Sequence, residues 1–98
     1  MSFVAVSKVT FPPSLREDIQ AFGSQMLPLA KSHRGFVSIS FHQSTEVEQT
    51  MMYWEWESRA DHEACMSSSD WMELMQSAGD LFEHDGVEFS VETFDRLA

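Results

Sequence analysis

Residues 50–57 read Thr50-Met51-Met52-Tyr53-Trp54-Glu55-Trp56-Glu57. Met52, Trp54 and Trp56 fall on one side of that alternation, and Met51, Tyr53, Glu55 and Glu57 on the other. A period of two in aromatic and bulky residues specifies a β-strand with a face to bury. The polar residues 43–49 before it read as a loop, and the hairpin it makes joins this strand to the one upstream. After it, Ser58 with Asp61 forms an N-cap pattern that opens a helix from Arg59.

Upstream, residues 36–42 form a second strand in which Val37, Ile39 and Phe41 alternate with Ser38, Ser40 and His42. Residues 3–11 form the first strand. Phe3, Ala5, Ser7, Val9 and Phe11 point one way, and Val4, Val6, Lys8 and Thr10 the other. Pro12-Pro13 stops it, and Ser14 with Glu17 makes a capping-box pattern for a helix over residues 15–32. Its stripe is Leu15, Ile19, Phe22, Met26 and Leu29 or Ala30, with a kink or early break expected at Pro28. Lys31, His33 and Arg34 complement the helix C-terminus, His33 as a capping side chain rather than a catalytic one. Gly35 can take the left-handed cap.

Downstream, His62, Cys65 and Met66 make one apolar stripe, and Trp71, Leu74, Met75, Ala78 and Leu81 or Phe82 make another. The two stripes do not share a register, and the poor helix formers Ser67-Ser68-Ser69-Asp70 lie between them. The pattern predicts two short helices, or one broken helix, joined there. Asp85-Gly86 supplies a turn, and Val87, Phe89 and Val91 alternate in a last strand that ends near Phe94.

The order strand-helix-strand-strand-helix-strand predicts one α+β domain over residues 1–98 with a ferredoxin-like βαββαβ layout. Its four-stranded antiparallel sheet would carry both helices on one face. The first and third strands are apolar on most of both faces, so the uncovered face is expected to pack against a second copy as a dimeric α/β barrel. Six Lys and Arg against sixteen Asp and Glu leave a net charge of −10, which repels nucleic acid and anionic membrane surfaces. No apolar run approaches the ~20 residues of a membrane span, and the first residues lack a secretory pattern. With Cys65 as the only cysteine, the expectation is a soluble cytoplasmic protein.

Residues that bear chemistry are few. His62-Glu63-Ala64-Cys65-Met66 begins like a zinc motif but has Met66 at the position of the second histidine, so no metal is expected. The four glycines stand singly, and no phosphate-cradling loop exists. Cys65, on an inner helix stripe, reads as a core thiol, and His62 either as a core histidine or as a pocket acid/base. Trp54, Trp56 and Trp71 either pack the core or line an aromatic cavity for a flat apolar ligand, with Met52 and Met75 as adaptable lining.

The run Tyr53-Trp54-Glu55-Trp56-Glu57-Ser58-Arg59-Ala60, followed by His62 to Trp71, resembles the antibiotic biosynthesis monooxygenase family of small dimeric α/β-barrel proteins. In that family a strand ending in a Trp-Glu-Ser-like motif leads into a helix with a pattern like E-A-H-L-x-S-P-H-F, and Gly35-Phe36 at the start of the second strand extends the likeness. The resemblance implies oxygenation of a small apolar aromatic, phenolic or quinol substrate. The substrate's own electrons would be used, with no cofactor. Trp54, Trp56, Cys65, Trp71 and Met75 would contact the substrate, Ser7 would hydrogen-bond a substrate oxygen, and Asp70 or His62 would handle the proton. Cys65 and Asp70 stand where that helix often carries two histidines, and Trp54 where relatives often have Glu. Ser7 and Met75 stand where the haem-degrading branch has Asn and His, which argues against haem ligation. A non-catalytic module that binds a small molecule with the same fold is the alternative.

Overall fold

The computed structural model describes residues 2–98. Its elements are β1 (Phe3–Thr10), α1 (Arg16–Lys31), β2 (Phe36–Gln43), β3 (Gln49–Trp56), α2 (Arg59–Met66), α3 (Ser69–Ser77), α4 (Gly79–Glu83) and β4 (Glu88–Asp95). The strands make one sheet in the order β2-β3-β1-β4, and every neighbouring pair is antiparallel. The ferredoxin-like arrangement expected from the sequence is present.

The two doubly apolar strands, β1 and β3, are the central ones, and their register sets the core. Phe3 lies opposite Trp56, Ala5 opposite Trp54 and Ser7 opposite Met52, so these six side chains share a face. Phe22, Met26 and Ala30 of α1 pack on that face with Cys65, Trp71 and Ala78 from the second helical stretch.

Local sequence signals explain most boundaries. The Ser58 hydroxyl accepts from the Asp61 N–H at 3.2 Å, capping α2, and the Ser68 hydroxyl accepts from the Trp71 N–H at 3.4 Å, capping α3. The serine run therefore breaks the helix where its two stripes change register. A second break, between α3 and α4 at Ala78, was not foreseen. Gly35 has φ +82°, the left-handed conformation expected of it.

Four local expectations are corrected. Ser14 caps nothing. Residues Pro13–Leu15 form a 3-10 turn in which the Leu15 N–H donates to the Pro12 carbonyl at 2.9 Å, and α1 starts after it without a side-chain cap. Pro28 does not end α1, which runs on to Lys31. Both Pro28 and Ser24, whose carbonyl loses a partner, lie on the exposed side where water can serve instead. In β2 a register shift between Phe36 and Ser38 leaves Val37 44% exposed, and Phe36 meets Trp56 edge-to-face at 5.9 Å in its place. His33 is no carbonyl cap: its Nε2 contacts the Asp70 carboxylate at 3.0 Å and ties the end of α1 to the start of α3.

The sheet face away from the helices is not uniformly apolar. Glu55, 3% exposed, receives Arg96 Nη1 on both carboxylate oxygens at 2.9 and 3.0 Å, and the Tyr53 hydroxyl donates to it at 3.2 Å. Hydrogen bonding from Ser2 foremost, then from Arg96 and Tyr53, outweighs burial and holds this carboxyl below its ordinary value. The Arg96 N–H donates to the Ser2 carbonyl at 2.9 Å, so both ends of the chain meet beside this group.

A Cβ at Gly35 would overlap the Asp61 side chain as well as strain the backbone. Gly35→Ala is expected to lower stability by about 2 kcal/mol or more in urea unfolding. A change within about 0.5 kcal/mol would show that the turn relaxes freely.

Candidate functional site

Between the helical layer and the sheet lies a cavity of about 700 Å³. Ala5 and Ser7 of β1 and Trp54 of β3 form its floor, continued by Phe89 and Val91 of β4. His62 and Met66 of α2, Trp71 and Met75 of α3, and Gly79 and Phe82 of α4 cover it, while Met26 and Val87 complete the wall. Phe89 and Val91 belong to the edge strand β4 and are 57% and 48% exposed.

The fold brings together five of the nine residues singled out from the sequence: Ser7, Trp54, His62, Trp71 and Met75. Four do not line the cavity, and of these Met52 borders a separate inner void. Trp56 is fully buried behind His62, with ring centres 6.0 Å apart. Cys65 is also fully buried, and burial pushes its thiol up to about 11, so it stays protonated and unreactive at neutral pH. Asp70 points to the surface, where it binds His33 and accepts the Trp71 N–H at 3.0 Å. Hydrogen bonding from Ser68 foremost keeps its carboxyl low. The helix geometry explains this placement: Trp71, one residue on, takes the inward direction, and a neighbour about 100° away cannot share it.

Met26, Met66, Gly79, Phe82, Val87, Phe89 and Val91 line the cavity without having been singled out as site residues. Phe89 and Val91 were readable as one face of the last strand. Their register opposite Val9 and Ser7 puts them on the cavity side. The stripe ending in Leu81 or Phe82 left the choice between those two open, and the break at Ala78 turns Phe82 to the cavity.

The cavity has few polar groups. Among its lining side chains only the Ser7 hydroxyl and the His62 imidazole are polar apart from the indoles, and none is charged at neutral pH. The His62 ring sits among Phe3, Trp54 and Trp56, with centroids at 5.2, 6.1 and 6.0 Å. Burial lowers its pKa below the ordinary 6.5, against a smaller opposing pull from Glu63. The imidazole is therefore neutral at pH 7 and able to accept a proton. Trp54 meets Trp71 edge-to-face at 5.2 Å and 69°. The Trp54 and Trp56 indole N–H groups are buried without a hydrogen-bond partner. Among the described residues no three His, Cys, Asp or Glu side chains converge as a metal-binding group. Such a site can hold a flat, uncharged, largely apolar molecule, orient one of its oxygens through Ser7 and take a proton through His62.

No family model matches the chain, and no curated protein matches it. Solved structures do. Rv0793 from Mycobacterium tuberculosis superposes with a TM-score of 0.85 at 14% identity, over 100% of this chain and 97% of that one. A candidate antibiotic biosynthesis monooxygenase from Bordetella bronchiseptica gives 0.79 at 20% identity, over 99% and 98%. A point mutant of SnoaB, a cofactor-independent oxygenase from Streptomyces nogalater, gives 0.81 at 7% identity over 97% and 92%. The chain has the antibiotic biosynthesis monooxygenase fold. At these identities the likeness is one of architecture, and it bears out the resemblance read from the sequence at that level. Within the antibiotic biosynthesis monooxygenase fold, the cavity's character comes from this chain's own residues on β1, β3 and the broken helix.

His62 is expected to titrate below pH 6.5 by NMR. The unfolded chain then takes up the proton first as pH falls. Wild-type stability should drop, relative to His62→Gln, from about pH 6.5 down to the folded pKa and level off below it. A His62 pKa above 6.5 would contradict the burial.

Proposed function

We propose that this protein is a cofactor-independent monooxygenase acting on a small apolar aromatic, phenolic or quinol substrate. The observation that carries the reading is a neutral imidazole, His62, facing an otherwise uncharged aromatic cavity that also holds a lone hydroxyl, Ser7.

The substrate lies against the joined Trp54 and Trp71 rings, with Ser7 donating to one of its oxygens. His62 accepts the proton of an acidic O–H or benzylic C–H. In so apolar a lining, the resulting anion gives up an electron readily to dioxygen. The imidazolium formed is stabilised by the substrate anion beside it. For an anthrone-type substrate the balance closes without an outside reductant. A CH₂ becomes C=O, one atom of dioxygen enters the product, and the other leaves as water with the two hydrogens removed. Asp70 takes no part, because it faces the surface; of the two proton-handling groups expected, His62 remains.

The same reading includes a homodimer through the uncovered sheet face, where the cross-strand pair Val4 and Phe94 lies near the Tyr53–Glu55–Arg96 group. No helix of the described residues is long and apolar enough to cross a membrane.

Oxygen uptake by metal-free protein, measured with a panel of anthrones and quinols, is expected to exceed background. His62→Ala should lower kcat by about 100-fold or more. Asp70→Asn should leave it within about twofold, as expected of a group outside the site. No uptake with any member overturns the proposal; saturable binding without uptake would identify a binding module instead.

A further inference from the structure

The main cavity ends at a trio of rings. Phe82 of α4 meets Phe22 at 5.2 Å and 74°, and Phe89 at 5.9 Å and 82°. Beyond them lies a separate inner void of about 20 Å³ beneath α1, against Ile19, Phe41 and Met52. Ser7, Met26, Phe82 and Phe89 line both spaces, so the partition is one layer of side chains thick.

The element that carries Phe82 is lightly held. The five-residue α4 buries no residue completely and has no side-chain cap. It is joined to α3 through Ala78-Gly79, and a Cβ at Gly79 would meet nothing within 4 Å. On its other side, between α4 and α1, is an open groove of about 430 Å³ bordered by Leu15, Asp18 and Leu81. There is thus space on both sides of α4.

The position of His62 gives the cavity a direction. Its ring contacts Phe3, at the start of β1, whereas Phe82 borders the void beside Ser7 and Val9. At ~3.4 Å per residue, Phe3 and Ser7 are ~14 Å apart along the strand. A flat ligand with its acidic hydroxyl at His62 therefore lies along β1, and its far end meets Phe82.

We propose that Phe82 is the specificity-determining gate of this cavity, setting how long a fused-ring ligand it admits. The proposal rests on the cavity reading above but needs no turnover. A short ligand fits with the ring trio closed. A longer one displaces Phe82, with α4 moving about Gly79 into the groove beside α1.

The test is the ratio of dissociation constants for 2-naphthol and 2-hydroxychrysene, measured from the anisotropy of their own fluorescence. Phe82→Ala is expected to shift the ratio at least 10-fold toward the four-ring probe, and Phe82→Leu part of the way. Leu81→Ala, on the groove side of the same helix, should leave it within twofold. Binding of both probes with an unchanged ratio in the Phe82 variants overturns the gate alone, as does an equal shift in Leu81→Ala. If neither probe binds wild-type protein, the cavity reading falls with it. Should Phe82→Ala fail to fold, Phe82→Leu decides.

Discussion

The edge-to-face contact between Trp54 and Trp71 is the interaction on which the site depends. Trp54 belongs to β3, which is paired on both sides, and so is held by the sheet's own hydrogen bonds. Trp71 is the only buried residue of α3. The contact adds about 0.5–1.5 kcal/mol beyond the area it buries, and it seats a helix with little else to hold it. The Asp70–His33 pair pins the same end of α3 from outside, yet it is exposed and worth little by comparison. Past the tryptophans the helical layer is lined by Met66, Met75 and Phe82, which leave the space unfilled.

Charge is partitioned sharply. The chain carries −10 overall, yet no charged side chain lines the cavity. An anionic ligand would be repelled outside and lose its hydration inside without a fixed counter-charge. A neutral ligand that becomes anionic only after binding avoids both costs. On the proposed reading its proton then goes to the one imidazole of the lining, which burial keeps neutral. The charge of the chain and the lining of the cavity thus occupy different surfaces of a very small domain.

What could be read in the sequence was what local physics decides. The alternation around Trp54 and Trp56, the cap at Ser58, the helix break within residues 67–70 and the left-handed turn at Gly35 each involve a few adjacent residues, and each was legible. The phase of β2 was not, since residues 36–42 alternate equally well with or without the irregularity that turns Val37 outward. Nor was the direction of Asp70, because a helix that starts one residue earlier or later would turn Asp70 inward instead of Trp71. Glu55 with Arg96, and His33 with Asp70, are pairings across 41 and 37 positions that no local pattern encodes. The stripe left Leu81 and Phe82 as equals, and the second helix break decides for Phe82.

The most direct test uses the three indole N–H signals in a nitrogen-15 NMR spectrum, followed as 2-naphthol is added. A ligand seated between the helices and the sheet should shift the Trp54 and Trp71 signals saturably and the Trp56 signal least, since Trp56 lies behind His62. If none of the three moves while the probe binds elsewhere, or if Trp56 alone responds, the cavity is not the site.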